Sequence, residues 1–316
     1  MTLALPPNCG AKSLLFGPES NWCFLMEKQK IGKYADIDWA SLRAQALADK
    51  GWKEKGSADW DRKADSFSRR NKSTGYVDRF LAHLPLSPSL TVLDIGSGPG
   101  TLALPVAARI RAVTAVDFSR GMLDILEAQA RASQLENITT VHCSWEDDWA
   151  AQGIQPHDIA IASRSLGVGD LCAALDKLDR YAKRAVFITD RIGNTPFEAG
   201  AFAAIGRPFS SGPDYIYTVN TLYTLGIHPN LVILELEQDV EYASMDEAFN
   251  SYSWMFQAIT PGESAALREY IANRVIAAAG ERLTIRRETP PRWALIWWEK
   301  TASTTSRPPL NEPTQV

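Results

Sequence analysis

The sequence predicts an α/β fold: a doubly wound, mostly parallel sheet with a terminal antiparallel hairpin, an N-terminal helical lid and a helical insertion after the fifth strand. Three observations carry this expectation. Short apolar runs alternate with helical stretches between Leu90 and Arg191, the rhythm of strands that lie parallel with helices on both faces. A glycine-rich turn directly follows the first run and opens a helix. Apolar residues make up 45% of the 316 residues and charged residues 22%, enough to build one large core with an elaboration.

The elements follow in order. Residues 1–30 are broken by Pro6, Pro7, Gly10, Gly17 and Pro18 and read as a disordered leader, with Met26 a candidate functional start. Residues 31–85 read as helices that form a lid. Asp38 caps the first, and Trp60, Ala64, Phe67, Tyr76 and Phe80 mark two more amphipathic stretches. The segment from Lys50 to Arg79 carries a net charge of +4. The domain proper is expected over 86–300, with strands at Thr91–Ile95, Ala112–Val116, Ile138–Cys143, Asp158–Ala162 and Ala185–Thr189 and helices near 101–110, 121–133 and 170–182. After Arg191 the rhythm breaks into an insertion of about 194–280. It holds a helix at Asp214–Leu225, a strand at Leu231–Tyr242 and helices near 245–257 and 262–279 that stop at Gly280. Leu283–Arg287 and Trp293–Glu299 read as the terminal hairpin, with the Trp297–Trp298 pair as core on one side of its strand. The Pro-, Ser- and Thr-rich stretch 301–316 reads as a disordered tail.

The chemistry concentrates at the strand ends. Asp94-Ile95-Gly96-Ser97-Gly98-Pro99-Gly100 leaves the first strand. Its glycines allow a tight turn and close backbone approach to a ligand, a Rossmann-like arrangement. The dinucleotide fingerprint spaces its glycines as G-x-G-x-x-G; here the third glycine comes one residue too early, and an acid stands two residues before the first. A carboxylate there repels a pyrophosphate and suits an ammonium. S-adenosylmethionine carries an ammonium and a sulfonium and no phosphate, so charge selects it over NAD. Asp117 ends the second strand, 21 residues past Gly96, where an acid accepts ribose hydroxyls. Ser119 follows it and is also placed to cap the next helix. Trp145, Glu146 and Asp147 leave the third strand and offer an aromatic face and an acceptor for adenine. Ser163, Arg164 and Ser165 end the fourth strand and face the same crevice.

These four segments, in this order, resemble those of the class I S-adenosylmethionine-dependent methyltransferases, of the small-molecule kind typified by ubiquinone-biosynthesis methyltransferases. The resemblance implies that Asp94, Gly96, Ser97, Gly98 and Gly100 hold the methionine moiety and Asp117 the ribose. It implies that Phe118 and Met122 flank adenine and that Trp145, Glu146 or Asp147 binds its edge. It has Cys143-Ser144 where the family commonly has Gly-Asp. Beside these, Trp60, Phe67, Arg69, Tyr76, Arg164 and Tyr215 are candidate substrate contacts, with packing the alternative for each aromatic, and Asp190 is a candidate polar group of the pocket.

Bulk properties set bounds. A net charge of −4 disfavours a broad nucleic-acid face. Four cysteines without a C-x-x-C pair point to a reducing compartment, hence the cytoplasm. The four histidines are scattered, so no metal is expected, and no apolar run approaches the roughly 20 residues of a membrane span. No Asn-Pro-Pro-Tyr motif follows the fourth strand, which disfavours adenine and glutamine amino groups as acceptors. The sequence leaves the acceptor and the oligomeric state open. The expectation is methyl transfer to a small molecule, with an RNA methyltransferase using the basic segment, or a non-catalytic binder of the same cofactor, as alternatives.

Overall fold

The computed structural model describes residues 33–50, 56–62, 64, 75–256 and 258–300. The leader, the tail, Phe67 and Arg69 lie outside them. Residues up to Asp38 form a unit of their own, described from Lys33 on. It holds a 3-10 turn, Tyr34–Asp36, in which the Lys33 N–H donates to Asp36 Oδ2 at 2.9 Å.

The unit from Trp39 onward opens with α1 (Trp39–Ala48), a helical stretch at 57–62 and α2 (Tyr76–Leu81). The α/β body follows as β1 (Thr91–Ile95), α3 (Ala103–Ala107), β2 (Ala112–Asp117), α4 (Arg120–Ala132), β3 (Ile138–His142), β4 (His157–Ser163), α5 (Leu171–Arg180) and β5 (Ala182–Arg191). Beyond it come α6 (Ala199–Ala204), α7 (Tyr215–Thr224), β6 (Asn230–Glu235), β7 (Asp239–Tyr242), α8 (Met245–Ser253), α9 (Pro261–Ala272), β8 (Val275–Ala279), β9 (Arg282–Arg286) and β10 (Arg292–Glu299).

The main sheet has seven strands in the order β3-β2-β1-β4-β5-β10-β6. The first five are parallel, and β10 runs antiparallel to both β5 and β6. Successive side chains of a strand face opposite sides, so both faces need cover. Val92 and Leu295 enter one core with Phe80 of α2, Val106 of α3 and Leu126 of α4. Leu93 and Ile296 enter the other with Leu175 and Leu178 of α5 and Leu222 of α7. A third core belongs to the second lobe, where Phe197, Phe202, Tyr252, Leu267 and Ile271 gather with Ile285 of a three-stranded antiparallel sheet, β7-β9-β8.

Several elements differ from expectation. The apolar run 231–242 is two strands in two sheets, and 275–279 is a strand although its alanines favour helix. The terminal segments do not pair as a hairpin: β9 joins the small sheet, and β10 inserts between β5 and β6. Trp297 and Trp298 therefore face opposite sides. Trp297 stacks on Phe187 at 6.3 Å, while the Trp298 indole donates to Asp179 Oδ1 at 2.7 Å.

Candidate active site

The carboxyl ends of the parallel strands open into a cleft of about 1380 Å3. Its floor is the turn after β1. Gly96 has φ +70°, and a Cβ built there would lie 2.3 Å from the Ser165 Cβ, so only glycine fits between the loops that follow β1 and β4. The Gly96 and Ser97 N–H groups both donate to the Val116 carbonyl, at 2.8 and 3.0 Å, and the Gly98 N–H donates to Asp117 Oδ2 at 2.8 Å. Three successive N–H groups are thus spent inside the protein, where a phosphate cradle would present them to its anion. What the turn offers instead is acceptor oxygen. Asp94 Oδ2 and Ser97 Oγ are buried and make no hydrogen bond, and both residues line the cleft. A buried polar atom left so is costly, and a cationic donor group entering the cleft removes that cost at Asp94.

The electrostatics agree. Burial, with a smaller contribution from Asp117, pushes the Asp94 carboxyl up to about 8. Burial also raises Asp117, against the pull of the N–H groups of Ser119 and Gly98. Two desolvated carboxyls in one cleft favour a cation there. Each Asp117 oxygen accepts one backbone N–H and keeps a second lone pair for a hydroxyl.

Of the sequence candidates, Asp94, Gly96, Ser97, Gly98, Asp117, Phe118, Met122, Trp145, Glu146 and Ser163 line this one cleft, as do Trp60 and Arg164. Phe118 is 38% exposed, unusual for a large apolar side chain. The Trp145 indole donates to the Ser165 carbonyl at 3.0 Å, which fixes its ring at the rim. Gly100, Ser119 and Asp147 are not in the lining. Gly100 packs against Leu104 and Leu126, Ser119 caps α4, and Asp147 accepts from the Ser144 N–H. Tyr76 is buried beneath the floor, where its hydroxyl bonds Ser163 Oγ and Thr189 Oγ1 at 2.6 and 2.7 Å and the Arg164 guanidinium lies 4.3 Å from its ring. Tyr215 packs against the second core. Cys143 also lines the cleft, but burial pushes its thiol up to about 11, so it is no thiolate near neutrality. No group of His, Cys, Asp and Glu able to hold a metal occurs among the described residues.

Other residues at the site have no local sequence signal. Arg43 of α1 donates to the carbonyls of Val168, Gly169 and Leu166 at 2.7, 3.0 and 3.2 Å, clamping the loop after β4. Asp61 accepts from Ser119 Oγ at 2.5 Å and from the Gly121 N–H at 2.9 Å, tying the 57–62 stretch with Trp60 to the start of α4. The lining also holds an aromatic group, Phe197, Phe202, Trp254, Phe256 and Trp293, together with the charged Arg207, Glu241 and Arg287.

Residues 92–185 match the methyltransferase domain family. An uncharacterized protein of Haemophilus influenzae is 33% identical over 83% of this chain and 97% of its own length. A 23S rRNA (uracil-C5)-methyltransferase of Pectobacterium carotovorum is 34% identical over 36% of the chain, which spans a quarter of that enzyme. A solved structure, a putative methyltransferase of Bacillus halodurans, aligns over 71% of this chain and 98% of its own with a TM-score of 0.49 and 13% identity.

Proposed function

We propose, from the methyltransferase domain over residues 92–185, that the chain is a class I S-adenosylmethionine-dependent methyltransferase and that it methylates a small-molecule acceptor bound beside the aromatic residues of the cleft. The observation that carries this reading is the continuity of the cleft. Small-molecule pockets usually measure roughly 300–1,000 Å3; this one is larger, and its lining includes both the acidic, glycine-rich turn and the aromatic residues Phe197, Phe202, Trp254 and Phe256, room for donor and acceptor side by side.

Asp94 and Ser97 hold the amino-acid end of the donor, with Gly96 and Gly98 giving close backbone approach. Asp117 accepts the ribose hydroxyls, Phe118 and Met122 flank the adenine, and Trp145 with Glu146 closes its edge. The bound donor supplies a methyl group on a sulfonium, already a good leaving group. The protein's task is then to hold acceptor and methyl in line, which is worth roughly 7–11 kcal/mol of barrier. Trp60, on the stretch held by Asp61, covers both ligands and excludes water in this reading, which its position in the cleft lining supports.

The test is a screen of small-molecule cell extract for release of S-adenosylhomocysteine by the purified protein. Release that depends on the low-mass fraction supports the reading; release only with added RNA, or none with any fraction, overturns it.

A further inference from the structure

We infer that Asp190 takes the proton from a hydroxyl group of a flat, apolar acceptor as that oxygen is methylated. The inference rests on the proposed methyl transfer and adds the acceptor's chemistry and the residue that serves it. Asp190 lies near the end of β5, next after Thr189, which pairs with Ser163 of β4, and it lines the same cleft as Phe197, Phe202 and Trp254. Methyl transfer as proposed would bring the reacting atoms to this carboxyl, between the residues assigned to the donor and the aromatic lining.

Asp190 is also held for the task. Its Oδ2 accepts from Thr218 Oγ1 at 2.6 Å, and Thr218 is 1% exposed on α7. Its Oδ1 accepts from the Arg191 N–H at 2.8 Å. Each oxygen keeps a second lone pair. No Lys or Arg nitrogen stands within ion-pairing distance of it among the described residues. The nearby cations aim elsewhere, Arg43 at the carbonyls after β4 and Arg191 at the Pro213 carbonyl. Burial raises its proton affinity, opposed by Thr218, Arg191 and Arg43. Three other carboxylates of the lining are committed: Asp214 caps α7, Glu237 pairs with Arg79, and Asp239 pairs with Arg286.

In the step, a lone pair of the acceptor oxygen forms the new O–C bond and the C–S pair stays on sulfur. The O–H proton passes to an Asp190 carboxylate oxygen and from there to solvent. Aromatic walls suit a planar ring, and a phenolic hydroxyl needs such a base near neutrality.

The test uses 2-naphthol and catechol as probes, with N,N-dimethylaniline, whose nitrogen has no proton to lose, as the contrast. Wild-type protein is expected to release S-adenosylhomocysteine with the phenols. Asp190→Asn should lower kcat by about 100-fold or more. Phenol KM, phenol affinity for the S-adenosylhomocysteine complex and donor Kd should all stay within about threefold. Thr218→Val should lower kcat by about tenfold, as a positioning residue does. Retained kcat in Asp190→Asn, or turnover of dimethylaniline without phenols, overturns the inference. No turnover of any probe with donor binding intact overturns the hydroxyl acceptor alone. Absence of donor binding in the wild type overturns the underlying reading instead.

Discussion

Asp94 is a carboxyl kept at a cost to the fold. It is 1% exposed, and its Oδ2 has no partner. With its folded value raised to about 8 from the ordinary 3.8, the native state binds the extra proton between those limits. Stability is therefore greatest below the lower value, falls by up to about 1.4 kcal/mol per pH unit as pH rises between the two, and levels off above the upper. Asp94→Asn is expected to flatten that dependence and to raise the melting temperature of the ligand-free protein at pH 8; calorimetric melts from pH 5 to 9 check it. Asp117→Asn keeps the shape but turns an amide NH2 toward one of two backbone N–H groups, and donor affinity should fall by about tenfold or more. These two acids were legible because the loop chemistry is contiguous in sequence. Arg43 and Asp61 were not, since their partners lie 123–126 and 58–60 residues away.

At the scale of elements, the four inner parallel strands could be read from their apolar runs because most of their residues are buried, whereas the edge strand β3 has no buried residue. The second lobe could not. Nothing in residues 231–242 says that the chain changes sheets after Leu236, and the Val-Ile-Ala-Ala-Ala run of β8 has helical propensity that pairing with β9 overrides. α9 shows the reverse, a boundary written locally: the Thr260 hydroxyl accepts from the Glu263 N–H, and the Glu263 carboxylate accepts from the Thr260 N–H. Thr260→Ala should cost about 1 kcal/mol in denaturant melts and leave donor affinity unchanged. Asp61→Ala should act oppositely. Loss of its bonds to Ser119 and Gly121 releases the 57–62 stretch, which speeds proteolysis there and raises the donor's dissociation rate while global melting changes little.

At the scale of the molecule, the turn after β1 and the aromatic residues Phe197, Phe202, Trp254 and Phe256 line one cleft, and the proposed function expects donor and acceptor preferences to separate between them. Phe256→Ala is expected to weaken binding of aromatic acceptors in the S-adenosylhomocysteine complex, read by tryptophan fluorescence, with donor affinity held. No helix among the described residues is long and apolar enough to cross a membrane.

The central claim is that the turn after β1 is built for a cation and not for a diphosphate. Titration calorimetry of S-adenosylmethionine, and separately of NAD, into wild-type protein and Asp94→Asn tests it most directly. The sulfonium compound is expected to bind the wild type, with affinity dropping by about tenfold or more in Asp94→Asn, and NAD to give no binding heat with either. Equal affinity of S-adenosylmethionine for both proteins, or tight binding of NAD, would contradict it.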